Sequence, residues 1–300
     1  TASGKTSLSI ELAKKINGQI ISADSMQIYD EMDIGTAKIK KEQMQGVTHY
    51  MIDEWNPDEE FNVMIFQKRV KEIMEDIYNR GKIPILVGGT GFYIQAVLND
   101  IAFTKEKQGD EIRADLQNLA KEKGASYLHH ELQKVDKESA EAIHPNNIKR
   151  VIRALEYFQS TGQKFSDHNK EERQKGSPYN FLYLVLTMNR KVLYERIDKR
   201  VDQMMEEGLV KEVKQLLDAG YSRNLVSMQG LGYKEIASAL FKECTMEEAV
   251  YRLKRDTRHF AKRQMTWFRR ERDVTMINKD NFSNNHEIVN YIMKLAVEKG

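Results

Sequence analysis

The stretch TASGKTSLSIELAKKINGQIISAD, residues 1–24, decides the fold class. Its first part ends in Ser3-Gly4-Lys5-Thr6, the second half of a phosphate-binding loop of the form G-x-x-x-x-G-K-[ST]. Apolar residues then recur at helical spacing through residues 5–16, and a short β-prone run, 19–23, follows Gly18. A phosphate loop followed by a helix and a strand predicts an α/β protein.

The loop predicts an anion site. Backbone N–H groups at a helix N-terminus form a nest for phosphate, and Lys5 adds a positive charge. The hydroxyl at the position of Thr6 commonly reaches Mg²⁺, so Thr6 is the candidate metal ligand. The first glycine of the pattern would lie two residues before Thr1, so we expect further residues ahead of this sequence. A chance GKT before an ordinary helix is the alternative, but the apolar helix and the acid that follows the strand favour a phosphate site.

The next elements extend the predicted parallel sheet. Residues 61–78 have the apolar spacing of an amphipathic helix, and residues 82–87 (KIPILV) form a continuous apolar run, as in a strand buried on both faces. Gly88-Gly89-Thr90-Gly91 follows that run. Ligands of such sheets bind beyond the carboxyl ends of the strands. We therefore expect Asp24 and the glycine turn on the same side as the phosphate loop.

A charged helical region interrupts the predicted sheet. Residues 111–177 contain no convincing strand, and their last part, 165–177, is polar and loop-like. Residues 181–188 (FLYLVLTM) predict another buried strand, with helices up to about residue 272, a β-prone run at 274–277 and a last helix near 286–298. The fold class is thus α/β, a P-loop NTPase-like parallel sheet flanked by helices. Its core comprises 1–110 and 178–300, and an all-helical insertion, 111–177, lies between two strands of one sheet.

Composition narrows the class of protein. The 300 residues are 40% hydrophobic, and no apolar run approaches the ~20 residues that span a membrane. Cys244 is the single cysteine, which excludes an internal disulfide and fits a reducing compartment. No signal peptide is visible, although the sequence opens inside a motif. We expect a cytoplasmic protein without membrane association and, as the simplest state, a monomer.

Positive charge is concentrated near the C-terminus. The net charge is only +2, yet residues 252–272 hold nine Lys or Arg against Asp256 and Glu271. Phe260, Trp267 and Phe268 lie among these cations. Cations with aromatics suit looped or single-stranded RNA, through phosphate contacts and base stacking. A solvated helix face is the alternative.

Other candidate groups allow two interpretations each. Asp24 at a strand end suits a metal ligand or a general base, or merely a helix N-cap. The glycines at 88–91 occupy a position where many P-loop nucleotidases place an acid, and they suit either the close approach of a backbone or a flat ligand, or a tight turn. The side chains of Arg196 and Arg200, with Arg190 nearby, suit a phosphate clamp or an ion-paired face.

Weaker signals complete the set. The turn Gln229–Lys234 carries little information alone. No Cys or His group has metal-ligand spacing, so the pair His129-His130 is interpreted as ordinary, with His49 a faint site candidate.

Taken together, seven stretches in order resemble the tRNA dimethylallyltransferase family, also called tRNA isopentenyltransferases. The stretches are TASGKT (1–6), ISADSMQIY (21–29), DIGTAK (33–38), GGTGFY (88–93), RALE (153–156), QGLGYKE (229–235) and AKRQMTW (261–267). They are distributed in order over nearly the whole chain. The chain ends without the zinc-finger region of eukaryotic members, so it looks like the bacterial form.

The resemblance implies a reaction. A dimethylallyl group passes from dimethylallyl diphosphate to N6 of the adenosine 3′-adjacent to the anticodon, position 37, with Mg²⁺ as cofactor and diphosphate as product. The target base must leave its stack in the anticodon stem-loop. It also implies the following residue roles. Catalytic roles fall to Asp24, Lys5, Thr6, Thr90 and Arg200. Diphosphate binding falls to Thr1, Ala2, Ser3, Gly4, Lys5 and Thr6, with Thr6 on Mg²⁺. Contacts to tRNA fall to Asp24, Ser25, Met26, Gln27, Thr90, Arg113, Lys149, Arg150, Val151, Ile152, Arg153, Gln229, Gly230, Leu231, Gly232, Tyr233, Lys234, Lys262, Arg263, Gln264, Met265, Thr266, Trp267, Phe268 and Arg269.

Two other functions remain open at this level. A small-molecule or nucleotide kinase shares the phosphate loop, a helical insertion and arginines after it. An RNA-binding protein with an NTPase switch would also combine a phosphate loop with a basic stretch. The sequence leaves undecided whether Arg196 or Arg200 contacts the diphosphate.

Overall fold

A computed structural model describes residues 2–103 and 109–299, so the role predicted for Thr1 lies outside the described residues. Within these ranges the helices and strands follow in the order α1 Lys5–Ile16, β1 Gly18–Ala23, β2 His49–Tyr50, α2 Val63–Asn79, β3 Ile83–Gly88, α3 Gly91–Leu98, α4 Gly109–Lys123, α5 Ala125–Val135, α6 Lys137–Ala142, α7 Ile148–Thr161, α8 Phe165–Gln174, β4 Tyr183–Thr187, α9 Arg190–Glu207, α10 Leu209–Asp218, α11 Tyr233–Leu240, α12 Met246–Phe268, β5 Val274–Asn278 and α13 Asn285–Lys299. The mixed α/β class with a parallel sheet and flanking helices is confirmed.

The chain forms two compact units. A core unit comprises 1–97 and 179–300, and a helical unit comprises 98–178. No helix among the described residues is long and apolar enough to cross a membrane.

The core unit is built on parallel strands. β1 lies between β2 and β3, and its pairing with β3 runs in register from Gly18↔Ile83 to Ala23↔Gly88. β4 pairs with β5 in parallel, but as a separate two-stranded sheet. The expectation of one sheet interrupted by an insertion is therefore wrong for the described residues, although each predicted strand is present.

Two further local predictions are corrected. β3 was expected to be buried on both faces, yet Ile83 is 48% exposed and the rest of the strand is half-buried, because β3 lies at the edge of its sheet. The polar stretch predicted as a loop is helix α8. The prediction failed because a solvent-exposed helix can be as polar as a loop. Helix α8 packs on α7 through Phe165 and Tyr157, whose ring centroids are 5.6 Å apart. β2 and α3 were not predicted, since two residues and a glycine-rich start give little periodic signal.

Helix α1 is held to both sheets. Its buried residues Ile10 and Ala13 pack on Ile20 of β1. Its opposite side brings Leu8 against Ile277 of β5 and Ile288 of α13. Because α1 starts directly after the phosphate loop, this packing fixes the direction in which the loop faces.

The helical unit has its own apolar core. Residues of α4, α5, α6 and α7 form it, among them Leu116, Leu128, Leu132, Ala140, Val151 and Leu155. Asp136, 1% exposed, joins α6 to the start of α8. Its carboxylate accepts hydrogen bonds from Ser139 N at 3.0 Å, Ser139 Oγ at 2.6 Å and Ser166 N at 2.8 Å. Burial alone would raise the pKa of Asp136, but these hydrogen bonds outweigh burial and lower it below 3.8.

We expect Asp136→Ala to destabilise the helical unit by about 3 kcal/mol, because it leaves buried N–H groups without an acceptor. Hydrogen exchange at the Ser139 and Ser166 amides checks this, with exposed Asp115→Ala as the control. Since the folded pKa is lowered, the carboxylate stabilises fully above pH ~4 and loses its effect as pH falls through the folded pKa. Unchanged protection in Asp136→Ala would contradict the assignment.

Candidate active site

The phosphate loop presents unsatisfied backbone donors. Ala2 and Gly4 have positive φ values of 52° and 81°, and α1 starts at Lys5. No side chain within residues 2–103 or 109–299 caps this helix start. Ser7 Oγ donates to the Gly4 carbonyl at 3.3 Å and Ser9 Oγ donates to the Thr6 carbonyl at 2.9 Å, so these hydroxyls leave the first N–H groups available. An uncapped, strongly anchored helix N-terminus suits an anion.

Charges around the loop act on Lys5. Its side chain is half-buried, and burial is the main cause that lowers its pKa from 10.5. The carboxylate of Asp24 raises that pKa, whereas the guanidinium of Arg200 lowers it. Lys5 therefore lies within electrostatic reach of both groups. Desolvation by the surrounding protein also lowers the pKa of Arg200, although part of the residue remains exposed to solvent.

Asp24 is positioned by the pairing of β1 with β3. A β carbon on Gly88 would lie 2.0 Å from the carbonyl oxygen of Ala23, so the two strand ends approach as only glycine permits. Thr90 N donates to that carbonyl at 3.2 Å, and Ser25 N donates to Thr90 Oγ1 at 3.2 Å. Asp24 and Thr90 are thereby held on neighbouring strand ends.

The Asp24 carboxylate is only partly used by the protein. Its Oδ1 accepts from Met26 N at 3.0 Å, which closes a local turn, and the alternative of a helix N-cap is wrong because no helix begins directly after Asp24. Among the described contacts, Oδ2 accepts no protein hydrogen bond. The charge of Asp24 also acts on Tyr93. Burial is the main cause that raises the pKa of Tyr93 to about 12, and electrostatic interactions with Tyr29 and Asp24 add to it. One carboxylate oxygen thus remains for a ligand.

The glycines at 88–91 allow helix α12 to pack closely against this turn. Gln264 Nε2 donates to the Gly89 carbonyl at 2.8 Å, and a β carbon on Gly89 would lie 2.1 Å from that nitrogen. A β carbon on Gly91 would lie 2.3 Å from the indole of Trp267. Both interpretations of these glycines are therefore correct in part. They lie in a turn, and their missing β carbons let the Ala23 backbone and the Gln264 and Trp267 side chains come close.

Glu212, which the sequence analysis missed, holds another predicted stretch. Its carboxylate accepts from the backbone N–H groups of Asp33 at 3.1 Å, Ile34 at 2.7 Å and Gly35 at 3.0 Å. The hydroxyl of Tyr233 donates to the same carboxylate at 2.7 Å, and burial followed by that carboxylate raises the pKa of Tyr233. A β carbon on Gly35 would lie 2.5 Å from the Tyr233 ring. DIGTAK and QGLGYKE are therefore packed on each other.

A signal for Glu212 was present in the sequence. It lies at a helical spacing with Leu209, Val213 and Leu216, all buried. An acid on the apolar face of an amphipathic helix needs hydrogen-bond partners. The sequence does not identify those partners.

The residues after Asp24 connect these groups. Met26 packs against Gly230, where a β carbon would lie 2.6 Å from Met26 Cε. The Gln27 side chain accepts from Ser22 Oγ at 3.1 Å and donates to the carbonyl of Thr36 at 3.2 Å. These contacts are structural, and any substrate contact of Met26 and Gln27 stays a prediction.

The basic stretch 252–272 divides into two parts. In its first part Arg252 pairs with Glu248 and Arg255 with Asp256 on the same helix, while Lys254 and Arg258 pair with Asp202 and Asp198 of α9. In its second part Lys262, Arg263 and Arg269 are exposed and form no ion pair among the described residues. Phe268 is buried against Tyr183, with ring centroids 6.2 Å apart. The free positive charge is thus at the C-terminal end of α12.

The insertion residues also differ among themselves. Val151 and Ile152 are packed in the core of the helical unit, so we leave their side chains out of the predicted RNA contacts. Arg113 and Arg153 pair with the buried Glu156, at 2.7 and 3.4 Å. In contrast, Lys149 and Arg150 are exposed. Tyr233 is likewise fully buried, and its observed role is packing.

Nothing in the described part of the chain groups three or more His, Cys, Asp or Glu as a metal site. His129 Nε2 lies 2.9 Å from the carbonyls of Ala140 and Ile143, which agrees with an ordinary structural role. His49 Nδ1 lies 2.9 Å from the Val47 carbonyl, and burial lowers the pKa of His49.

We expect Glu212→Gln to loosen the 33–35 turn, because an amide N–H₂ group faces backbone donors that a carboxylate satisfied. Stability should fall by about 2 kcal/mol, and the amides of Asp33, Ile34 and Gly35 should exchange faster. Exposed Glu206→Gln on α9 is the control. Equal exchange in both variants would show that Glu212 is not the clamp.

Comparison with known proteins identifies the family. A family model described as "IPP transferase" matches residues 27–271. The tRNA dimethylallyltransferase of Lachnoclostridium phytofermentans is 58% identical over 299 residues, covering 100% of this chain and 96% of its own. The crystal structure of the tRNA isopentenylpyrophosphate transferase from Bacillus halodurans aligns with a TM-score of 0.75 at 45% identity, over 100% of this chain and 95% of that one. A eukaryotic dimethylallyltransferase solved while acting on tRNA aligns with a TM-score of 0.79 at 31% identity, over 93% and 71%. The chain belongs to the IPP transferase family.

Proposed function

We propose that this chain transfers a dimethylallyl group from dimethylallyl diphosphate to N6 of adenosine 37 in tRNA. The observation that carries the proposal is the position of Lys5, at an uncapped phosphate loop and within electrostatic reach of both Asp24 and Arg200. Relatives that match 96–100% of this chain carry the corresponding name. Such a transfer requires a site that binds the diphosphate, cations that stabilise its charge as it leaves, and a carboxylate that accepts the N6 proton.

The phosphate loop would hold the leaving group. As N6 attacks the first carbon of the prenyl group, the carbon–oxygen bond breaks and its electrons pass to the diphosphate. The helix N-terminus, Lys5 and Arg200 would stabilise this growing negative charge. Arg200, rather than Arg196, is the arginine whose charge acts on Lys5.

Asp24 would be the general base. An exocyclic amine is a weak nucleophile, so removal of its proton by a positioned carboxylate accelerates attack by roughly 10²–10⁴-fold. The Met26 N–H and the Thr90 network fix the orientation of the turn, and Oδ2 remains for the N6 proton. The proton leaves N6 for Asp24 while diphosphate leaves carbon.

Mg²⁺ fits this site as a cofactor held mainly by substrate. Thr6 is exposed on the first turn of α1, and the described residues contain no acidic cluster that would bind the ion without phosphate. Mg²⁺ usually keeps several waters and uses one or two protein ligands plus phosphate oxygens. When bound it would neutralise charge on the diphosphate.

The exposed cations would bind the tRNA backbone. Lys262, Arg263 and Arg269 at the end of α12 are unpaired with acids among the described residues, as are Lys149 and Arg150 of α7. Gln229 and Lys234 are polar members of the 229–234 stretch, whose Gly230 lies against Met26. We propose these residues as the RNA contacts and assign the buried members of the same stretches to packing.

A kinase is the alternative reaction. It would require an acceptor hydroxyl and turnover of ATP. The glycines after β3 receive Gln264 and Trp267 instead of a catalytic acid, which disfavours that chemistry. The test is incubation with labelled dimethylallyl diphosphate and unmodified tRNA: label in the tRNA supports the proposal, and ATP turnover with unlabelled tRNA overturns it.

We expect Asp24→Asn to reduce transfer by 10²–10⁴-fold, because the amide cannot take the N6 proton but keeps the turn bond to Met26. Single-turnover transfer and tRNA binding by filter retention measure the two steps separately, and binding should change little. Asp30→Asn, an exposed acid in the next turn, is the control. Near-normal turnover in Asp24→Asn would remove Asp24 as the base.

We expect the double variant Lys262→Ala/Arg269→Ala to bind tRNA more weakly, with the salt slope reduced by about 0.7–0.9 per cation. The matched control is Arg252→Ala/Arg255→Ala, which removes the same charge from ion-paired positions. Binding titrations from low to high salt give both quantities. Equal loss in the two double variants would place the RNA surface elsewhere.

A further inference from the structure

The Lys279 ammonium lies directly over the phosphate loop. A β carbon built on Gly4 would be 2.8 Å from Lys279 Nζ, so this nitrogen is close to the backbone that precedes α1. Lys279 starts the short 3-10 turn that follows β5. It is 274 positions from Lys5 in the chain, and no feature of the sequence singled it out.

Hydrogen bonds and the packing of α13 on α1 hold Lys279 in place. Its Nζ donates to Asn285 Oδ1 at 3.3 Å, and Asn285 Nδ2 donates to Ser7 Oγ at 3.1 Å. Asn285 begins α13, and Ile288 of that helix packs with Leu8 of α1. The Lys279 ammonium is thereby linked through Asn285 to Ser7 in the first turn of α1. The packing of Leu8 on Ile288 holds α1 and α13 together beside this link.

The charge of Lys279 is not neutralised by a carboxylate. Among the described residues it forms no ion pair, and the adjacent Asp280 accepts instead from Asn189 N at 2.7 Å. Partial burial, followed by the charge of Arg196, lowers the pKa of Lys279 from 10.5. Two cations that repel each other beside an anion nest would gain from a shared anion.

We infer that Lys279 is an additional diphosphate-binding residue, which contacts the phosphate loop's ligand from the C-terminal segment. The inference rests on the proposed function, since it names a further contact to the same diphosphate. Lys5 would bind the anion from the start of α1, and Lys279 would bind it from the segment after β5. The C-terminal segment after β5 is thereby part of the substrate site.

The test is calorimetric titration of inorganic diphosphate, in the presence of Mg²⁺, into the full chain and its variants. Lys279→Met keeps the aliphatic stem and removes the charge. A charge-assisted contact of this kind is worth about 10- to 100-fold in dissociation constant. We therefore expect Lys279→Met and Lys279→Gln to bind diphosphate 10- to 100-fold more weakly, and Lys279→Arg to stay near the unmodified chain.

Two further variants separate the possible failures. Lys294→Met removes an exposed lysine from α13 and should leave diphosphate binding unchanged. Lys5→Met tests the loop itself. If Lys5→Met loses affinity while both Lys279→Met and Lys279→Gln bind normally, the inference is overturned and the proposed function stands. If the unmodified chain does not bind diphosphate, both are overturned. Thermal unfolding of each variant shows that a loss of affinity is not a loss of fold.

Discussion

The close approach of β1 and β3 is the constraint on which the site depends. The strands run in register to Ala23 and Gly88, where the absence of a β carbon lets the backbones meet. The Thr90 N–H then bonds to the Ala23 carbonyl. Because both strands are parallel and end together, Asp24 and Thr90 emerge at one edge. Helix α1 packs on β1, and Lys5 at its N-terminus lies within electrostatic reach of Asp24 at this edge.

Pairs of short stretches meet around this edge through close contacts. The glycine turn after β3 receives Gln264 and Trp267 of α12, and Gly35 receives the Tyr233 ring. Glu212 completes the second contact with three backbone hydrogen bonds. The stretches that identify the family are therefore mostly contact partners of one another. Their residue types reflect packing and hydrogen bonding as well as chemistry.

Electrostatics separates the cations by role. Those of the first part of the 252–272 stretch are neutralised by acids of α9 and α12 and join helices. Those at the end of α12 face solvent, which suits a long anionic polymer. Lys5 and Lys279 lie at the loop, the charge of Arg200 acts on Lys5 and that of Arg196 on Lys279, and Asp24 is the acid whose charge acts on Lys5. This imbalance is consistent with a compact, highly charged ligand such as diphosphate.

The sequence by itself determined the phosphate loop, α1, the predicted strands and the helical insertion, because each rests on local spacing or on a run of one residue type. It also pointed to Lys5, Thr6 and Asp24 as site residues and left Arg196 and Arg200 as alternatives, and these roles stay predictions. Only the tertiary structure decided the separation into two sheets, the partners of Glu212, the burial of Val151 and Ile152, and the position of Lys279 over Gly4. Periodicity reports which face of an element is apolar. Contacts between residues hundreds of positions apart depend on how those faces pack, and that is settled by the three-dimensional fit of side chains.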